Sequence, residues 1–356
     1  MHKLLFVTKY IDHILHFFLA RLSREFRLTI VVDQKNEWTE KLGADQADLV
    51  HLAPRTKFDS RFRRAIDELE VKGRWDLVQC FHGNAQLANI IRWNKQRLPL
   101  IAYRARIGHL KFRENPTAYW NARNPTLSAV AAVSNEVKAY LESFSFLQGR
   151  NVHVLPHGIN RQWVASQSGE GFGLRAKLGI DDDAFIVVSI ATLRPVKRFN
   201  YIVHAAEKLS GRPIHFVHVG EPKGWDQKAS HLPKIHFLGQ LKKPFPILAD
   251  GDVFAMTSHN EAFGRANLEA MALGKPVIGS NTGGLLDLVE PEVTGRLFDT
   301  GSADDFARIV GNYCDDRDAV DSHGRNAIER VDQLFTTEKM VERYLQLYDG
   351  LLSRKQ

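Results

Sequence analysis

Short runs of Val, Ile, Leu and Phe recur along this chain, set off by polar turns and separated by stretches with helical spacing. Residues 4–7, 28–32, 77–81, 100–103, 130–133 and 152–155 form the first set, with amphipathic stretches such as 62–70 and 136–144 between them. Runs that are apolar throughout, rather than alternating, suit strands covered on both faces, as in a parallel sheet flanked by helices. The pattern pauses in a polar stretch rich in Gln, Ser and Gly, residues 160–173, which reads as a linker. It restarts with strands at 184–190, 214–219, 235–238, 253–256 and 277–278 and a helix at 200–209. Two successive runs of this kind predict an α/β protein with two doubly wound, Rossmann-like sheets facing a cleft. A chain of 356 residues is also too long for one comfortable core. The expected divisions are 1–165, 166–335 and a terminal helical segment 336–356, where Met340, Tyr344, Leu347 and Leu351 fall at helical spacing.

The densest chemistry lies between Ser258 and Gly284. Two glutamates, Glu261 and Glu269, bracket Phe263-Gly264, and a run of good helix formers follows as far as Gly274. Gly264 reads as the turn that opens a helix and Gly274 as the residue just past its end. A helix N-terminus presents unpaired N–H groups and partial positive charge, a seat for an anion. One carboxylate before that seat and one a turn into the helix could accept hydrogen bonds from hydroxyls on both sides of a phosphate. A nucleotide sugar has that layout of sugar hydroxyls, diphosphate and ribose hydroxyls.

Both glutamates, Phe-Gly, the Glu-Ala-Met-Ala-x-Gly-x-Pro-Val run and Gly283-Gly284 together resemble the signature of the retaining GT-B glycosyltransferases of family 4. The resemblance implies that Glu261 contacts the donor sugar, Glu269 the ribose, and the amides after Phe263-Gly264 the phosphates, with Phe263, Gly264 and Arg265 as donor-binding residues. It also implies a last helix that returns to the N-terminal domain, a base slot at Leu238 and Gly239, and a structural turn at Pro156-His157-Gly158-Ile159-Asn160.

Two cations, Arg194 and Lys197, follow a predicted strand, where such sheets hold ligands. Lys197 is in register with the family lysine. The place of the family arginine is held by Thr192, so Arg194, displaced by two, is the substitute. His82 follows another strand and matches the family histidine that reaches toward the donor sugar. A structural histidine is the plain alternative. His109, with Arg104 and Arg106, could bind an anionic acceptor. The loop after the first strand, Lys9-Tyr10-Ile11-Asp12-His13-Ile14, holds no glycine where the family has several, so contacts there would have to come from side chains. The run Asp181-Asp182-Asp183 belongs to a turn before a strand, and no metal is expected there. No cofactor is expected either, the nucleotide sugar being a substrate.

The first 165 residues carry 25 Lys and Arg against 15 Asp and Glu, the remainder 23 against 26. This asymmetry points the first half toward an anionic partner, a glycan or lipid-linked acceptor. Arg55, Lys57, Arg61, Arg63 and Arg64 contribute much of it. Ile14 to Phe18, followed by Arg21, Arg24 and Arg27, either forms an amphipathic helix resting on a membrane or packs on its sheet as a first helix. Only Cys80 and Cys314 are present, which fits a reducing cytoplasm, with a peripheral contact at the membrane face as a further expectation. No run approaches the length of a membrane span. The reading is therefore a metal-independent retaining transferase moving a sugar from a UDP- or GDP-linked donor, in envelope polysaccharide or lipopolysaccharide synthesis. A GT-B epimerase and a non-catalytic donor-binding subunit are the alternatives. The early strands lack the G-x-G-x-x-G of a dehydrogenase, and no nucleic-acid-binding motif accompanies the basic charge.

Overall fold

Thirteen parallel strands, grouped in two sheets, account for the apolar runs in the computed structural model, which describes residues 1–95 and 97–353. The chain divides into two compact units, one formed by Met1–Gly158 with the chain from Thr337 onward, the other by Ile159–Thr336.

The first unit holds β1 (Lys3–Thr8), β2 (Arg27–Val32), β3 (Ala47–His51), β4 (Leu77–Cys80), β5 (Leu100–Arg104), β6 (Ala129–Ala132) and β7 (Val152–Val154). Their order is β3-β2-β1-β4-β5-β6-β7, so the winding reverses between β1 and β4. Phe6 sits opposite Ile30 on one side and Gln79 on the other. β3 escapes the sequence reading because it is an edge strand, half-exposed, with Asp48 and His51 interrupting its apolar residues.

The helix His13–Leu22 starts at Asp12, whose side chain accepts from the Leu15 N–H. Ile14, Leu15, Phe18, Leu19 and Leu22 are buried in the core of this unit, and Phe18 meets Tyr344 at 4.9 Å between ring centroids. Its apolar face is therefore covered by protein, and the membrane-resting alternative fails for this helix. The partner is the last helix, Thr337–Ser353, whose Met340, Val341, Tyr344, Leu347, Tyr348 and Leu351 join the same core. No helix among the described residues is long and apolar enough to cross a membrane.

The second unit holds β8 (Phe185–Ile190), β9 (Ile214–Val219), β10 (Ile235–Phe237), β11 (Val253–Met256), β12 (Val277–Ser280) and β13 (Gly295–Phe298) in the order β10-β9-β8-β11-β12-β13. Here the winding reverses between β8 and β11. The expected linker is ordered structure instead. Asn160 caps a helix, Arg161–Ser168, by accepting from the Trp163 N–H at 2.9 Å. Val164 is fully buried, and Trp163 meets Phe245 edge-on at 5.4 Å. The chain thus enters the second unit at Ile159, earlier than the expected 165/166 boundary.

Candidate functional site

The carboxyl ends of parallel strands collect loops whose backbone groups are free of the sheet, and the point where winding reverses opens a crevice there. In the second unit that point lies between the loop after β8 and the loop after β11. Lys197 stands on the first, at the end of a single 3-10 turn, Pro195–Lys197, and Glu261 on the second. Lys197 Nζ donates to Glu261 Oε2 at 2.8 Å, and the two side chains are 20% and 18% exposed. Two further bonds fasten the loops: Thr257 Oγ1 donates to the Lys197 carbonyl at 2.7 Å, and His259 N–H to the Val196 carbonyl at 2.9 Å.

Glycines let the neighbouring loops close on this pair. Gly283 has φ +66, and a Cβ there would collide with the Glu261 carbonyl, while one at Gly284 would collide with that of Ala262. The Gly284 N–H instead donates to the Glu261 carbonyl at 2.8 Å. On the other side, a Cβ at Gly220 would collide with the Ala191 carbonyl, and the Gly220 N–H donates to the Gly239 carbonyl at 2.7 Å. Leu238 and Gly239 at the end of β10, Gly220, Ala191 to Lys197, Thr257 to Glu261 and Gly283-Gly284 so form a continuous rim along one edge of the sheet.

Gly264, at φ +79, opens the helix Arg265–Ala272, and no side chain caps its first turn. Gly274, at φ +72, ends it. Phe263 is buried, meeting Phe335 edge-on at 6.0 Å, Glu269 is buried, and Arg265 is exposed. Uncapped N–H groups, a lysine and the Glu261 carboxylate thus converge, a set able to hold a phosphate beside a hydroxyl-bearing group, with Glu269 about a turn further along the helix. Arg194 is exposed and forms no ion pair among the described residues, whereas Arg198 is tied to the Thr300 carbonyl at 2.5 Å and acts as a brace.

Asn267, Thr257 and His218 escaped the sequence reading because their partners are remote in the chain or absent. Asn267 is fully buried behind Gly264 with neither amide atom bonded among the described residues. His218 is buried under the rim, bonded to Ser189 Oγ at 2.9 Å, and burial lowers its pKa to about 4, so it is neutral at pH 7. Asp181, Asp182 and Asp183 are exposed in the turn before β8, and no cluster of three or more potential metal ligands occurs among the described residues.

The remaining expected residues belong to the first unit. His82 Nδ1 lies 3.0 Å from Thr8 Oγ1, and its ring stacks on Tyr10 with centroids 4.6 Å apart. Arg104 directs its guanidinium onto the carbonyls of Arg106 and Gly108 in its own loop, which makes it a loop brace, and burial lowers its pKa. Arg106 and His109 are exposed, the latter at φ +56. His157, in the turn closing this unit, lies 2.9 Å from the Tyr103 hydroxyl.

Residues 172–330 match the family model described as glycosyl transferases group 1. This part of the chain belongs to that family. The chain is 28% identical over 186 residues to the N-acetyl-alpha-D-glucosaminyl L-malate synthase of Bacillus anthracis, covering 50% of this chain and 49% of that protein. It is 29% identical over 177 residues to the lipopolysaccharide core biosynthesis glycosyltransferase LpsE of Rhizobium meliloti, covering 49% and 52%. It thus spans about half the length of these curated relatives. The solved structure of Anabaena Alr3699/HepE in complex with UDP is similar along nearly the whole chain, with TM-score 0.81, 21% identity and coverage of 98% and 100%. That likeness assigns the GT-B fold class to the chain, with two Rossmann-like sheets and a C-terminal helix.

Proposed function

We propose that this protein is a metal-independent retaining glycosyltransferase that moves a sugar from a UDP- or GDP-linked donor to a glycan or lipid-linked acceptor. One observation carries the reading: the Lys197–Glu261 pair spans the winding reversal of the family-matched unit, beside the uncapped helix start at Gly264. A donor diphosphate would take Lys197 and the helix N–H groups as partners, and the sugar hydroxyls would take Glu261. Cleavage of the glycosidic bond concentrates negative charge on the leaving diphosphate, so a fixed lysine and oriented amides stabilise the transition state more than the ground state. Arg194 is the second cation of this set, Glu269 the ribose acceptor and Gly239 the edge of the base slot. The acceptor hydroxyl attacks from the leaving-group face, and the departing phosphate takes its proton.

UDP as the base-bearing half is supported by the HepE structures, which contain UDP and UDP-glucose. An envelope acceptor is supported by LpsE and by the basic first unit. Phe112 and Trp120 are exposed there, their rings 6.3 Å apart, with exposed Lys111, Arg113 and Arg123 beside them in sequence. This surface, and not the first helix, is where a peripheral membrane contact belongs.

The test is proton NMR of α-linked UDP- and GDP-hexoses incubated with the purified protein. Retention gives α-configured product, and for water as acceptor the first sugar released is the α anomer. A chelator leaves the rate unchanged. A β product overturns retention, metal-dependent turnover overturns the metal-free mechanism, and isomerisation of the donor sugar would indicate an epimerase. Nucleotide binding without turnover on any acceptor tried would favour the non-catalytic subunit.

A further inference from the structure

The run Glu-Ala-Met-Ala-x-Gly-x-Pro-Val carries a residue that the donor reading leaves unused, Lys275. It lies just past the helix Arg265–Ala272 and two residues before β12, at the edge of the sheet opposite the rim. The helix Arg317–Leu334 packs there through Gly324, where a Cβ would collide with the Gly274 carbonyl. Val320, Asp321, Gly324, Arg325 and Ile328 recur at helical spacing and share one face of that helix. Between this face and the chain at Asp252 and at residues 273–275, a cavity of about 310 Å³ opens. Lys275 is half-buried on its wall, yet its ammonium forms no hydrogen bond or ion pair among the described residues, and its Nζ is not sealed from solvent. The nearby carboxylates are engaged elsewhere. Asp252 takes the Ile186 N–H at 2.6 Å and Arg317 Nη1 at 3.0 Å, and Asp250 takes the N–H groups of Phe172 and Leu174 at 3.0 and 2.9 Å. Burial lowers the Lys275 pKa, with Asp252, Asp250 and Asp321 opposing that shift from beyond bonding distance.

A partly desolvated ammonium has three donors and here no acceptor, an arrangement that an anionic ligand completes. Arg325, exposed on the same helix face, is a second cation without an ion pair among the described residues, and Asp321 is a free carboxylate beside it. Two cations against one carboxylate leave a single positive charge to match, which suits a monoanion. The further carboxylates of Asp252 and Asp250 disfavour a doubly charged phosphate. Leu273, Val320 and Ile328 give the cavity an apolar wall, and its volume lies at the small end of ligand pockets. We propose that this cavity is a second ligand site, separate from the donor rim, which takes a small branched-chain monocarboxylate, its carboxylate on Lys275 and Arg325 and its apolar body on Leu273, Val320 and Ile328. Binding there requires nothing from the transferase reading.

Saturation-transfer NMR on the full chain, with isovalerate, 4-methyl-2-oxopentanoate and leucine as probes, makes the test. At least one probe is expected to bind. Lys275→Met, which keeps an unbranched apolar stem but removes the charge, is expected to weaken it about tenfold or more. Arg325→Gln is expected to weaken it severalfold. UDP is expected to leave the probe bound, because the donor rim lies at the other edge of the sheet. Lys275→Met should melt no lower than the wild-type protein, since it removes a partly desolvated charge; should it fail to fold, Arg325→Gln, at an exposed position, carries the test. Binding of leucine alone, lost in Asp321→Asn, would narrow the ligand to an amino acid whose ammonium meets Asp321, whereas binding of the two acids as well would assign recognition to the carboxylate and its apolar body. Failure of all three probes to bind, binding indifferent to both Lys275→Met and Arg325→Gln, displacement by UDP, or equal competition by inorganic phosphate would overturn the site.

Discussion

Replacing Lys197 with Ala separates chemistry from folding in this site. The Lys197–Glu261 distance of 2.8 Å gives a Coulomb attraction of at most about 6 kcal/mol at an effective dielectric near 20. Both groups are about four-fifths buried, so desolvation and side-chain ordering offset most of that attraction, leaving about 1–2 kcal/mol of net stability. A domain with the usual 5–15 kcal/mol stays folded after such a loss. The rate should respond far more. Removing one fixed donor from a developing anion typically lowers kcat by about 10²–10³. Urea unfolding and initial rates of nucleotide release from UDP-glucose, on the same preparations, give the two numbers. A rate loss below about tenfold, or one matched by the unfolded fraction at assay temperature, refutes the role assigned to Lys197.

Glu269→Ala should weaken UDP or GDP binding by about 10- to 100-fold in calorimetry, the loss of a charged hydrogen-bond acceptor; unchanged affinity would remove the ribose assignment. Glu261→Ala should leave nucleoside-diphosphate affinity intact or slightly tighter, because Lys197 Nζ is released from its carboxylate, while turnover of the intact donor falls; equal weakening of both ligands contradicts a sugar-side role. Gly283→Ala places a methyl against the Glu261 carbonyl at φ +66 and should cost about 1–3 kcal/mol in urea unfolding. The His218 pKa is depressed to about 4, so the unfolded chain binds the extra proton first. Stability should therefore fall as pH drops from about 6.5 to 4, by up to about 3 kcal/mol from this group, and His218→Gln should flatten that part of the curve. An identical acid profile in the variant would show that His218 does not titrate as described.

The sequence carries the βα rhythm and the segment around Glu261 because both are local. Strands covered on two faces need continuous apolar runs, and an uncapped helix start needs glycine at a positive φ, so both leave marks within a few residues. What was hidden depends on remote partners. The helix Arg161–Ser168 looks like a linker because anchors such as Phe245, against Trp163, and Asp332, bonded to Arg161, lie far along the chain. The edge strands β3 and β13 lack a continuous apolar run because four of the five residues of β3 and two of the four of β13 are not buried. Arg104 reads in the sequence only as a ligand-binding cation, while its Nε and Nη2 also brace carbonyls in its own loop. For the first helix the sequence showed an apolar face but could not say what covers it; Tyr344, more than three hundred residues later, does.

Titration of the full chain with UDP and with GDP, followed by thermal unfolding, addresses the central claim that the rim from Gly239 through Lys197 to Gly284 holds a nucleotide sugar. A ligand at 100 times its Kd adds about 2.7 kcal/mol to the native state, a readily measured rise in melting temperature. The account predicts such a rise for at least one of the two nucleotides, diminished in Lys197→Ala and in Glu269→Ala, the latter to about 0.4–1.4 kcal/mol for the 10- to 100-fold loss of affinity. No rise with either nucleotide, or an equal rise in both variants, would contradict it.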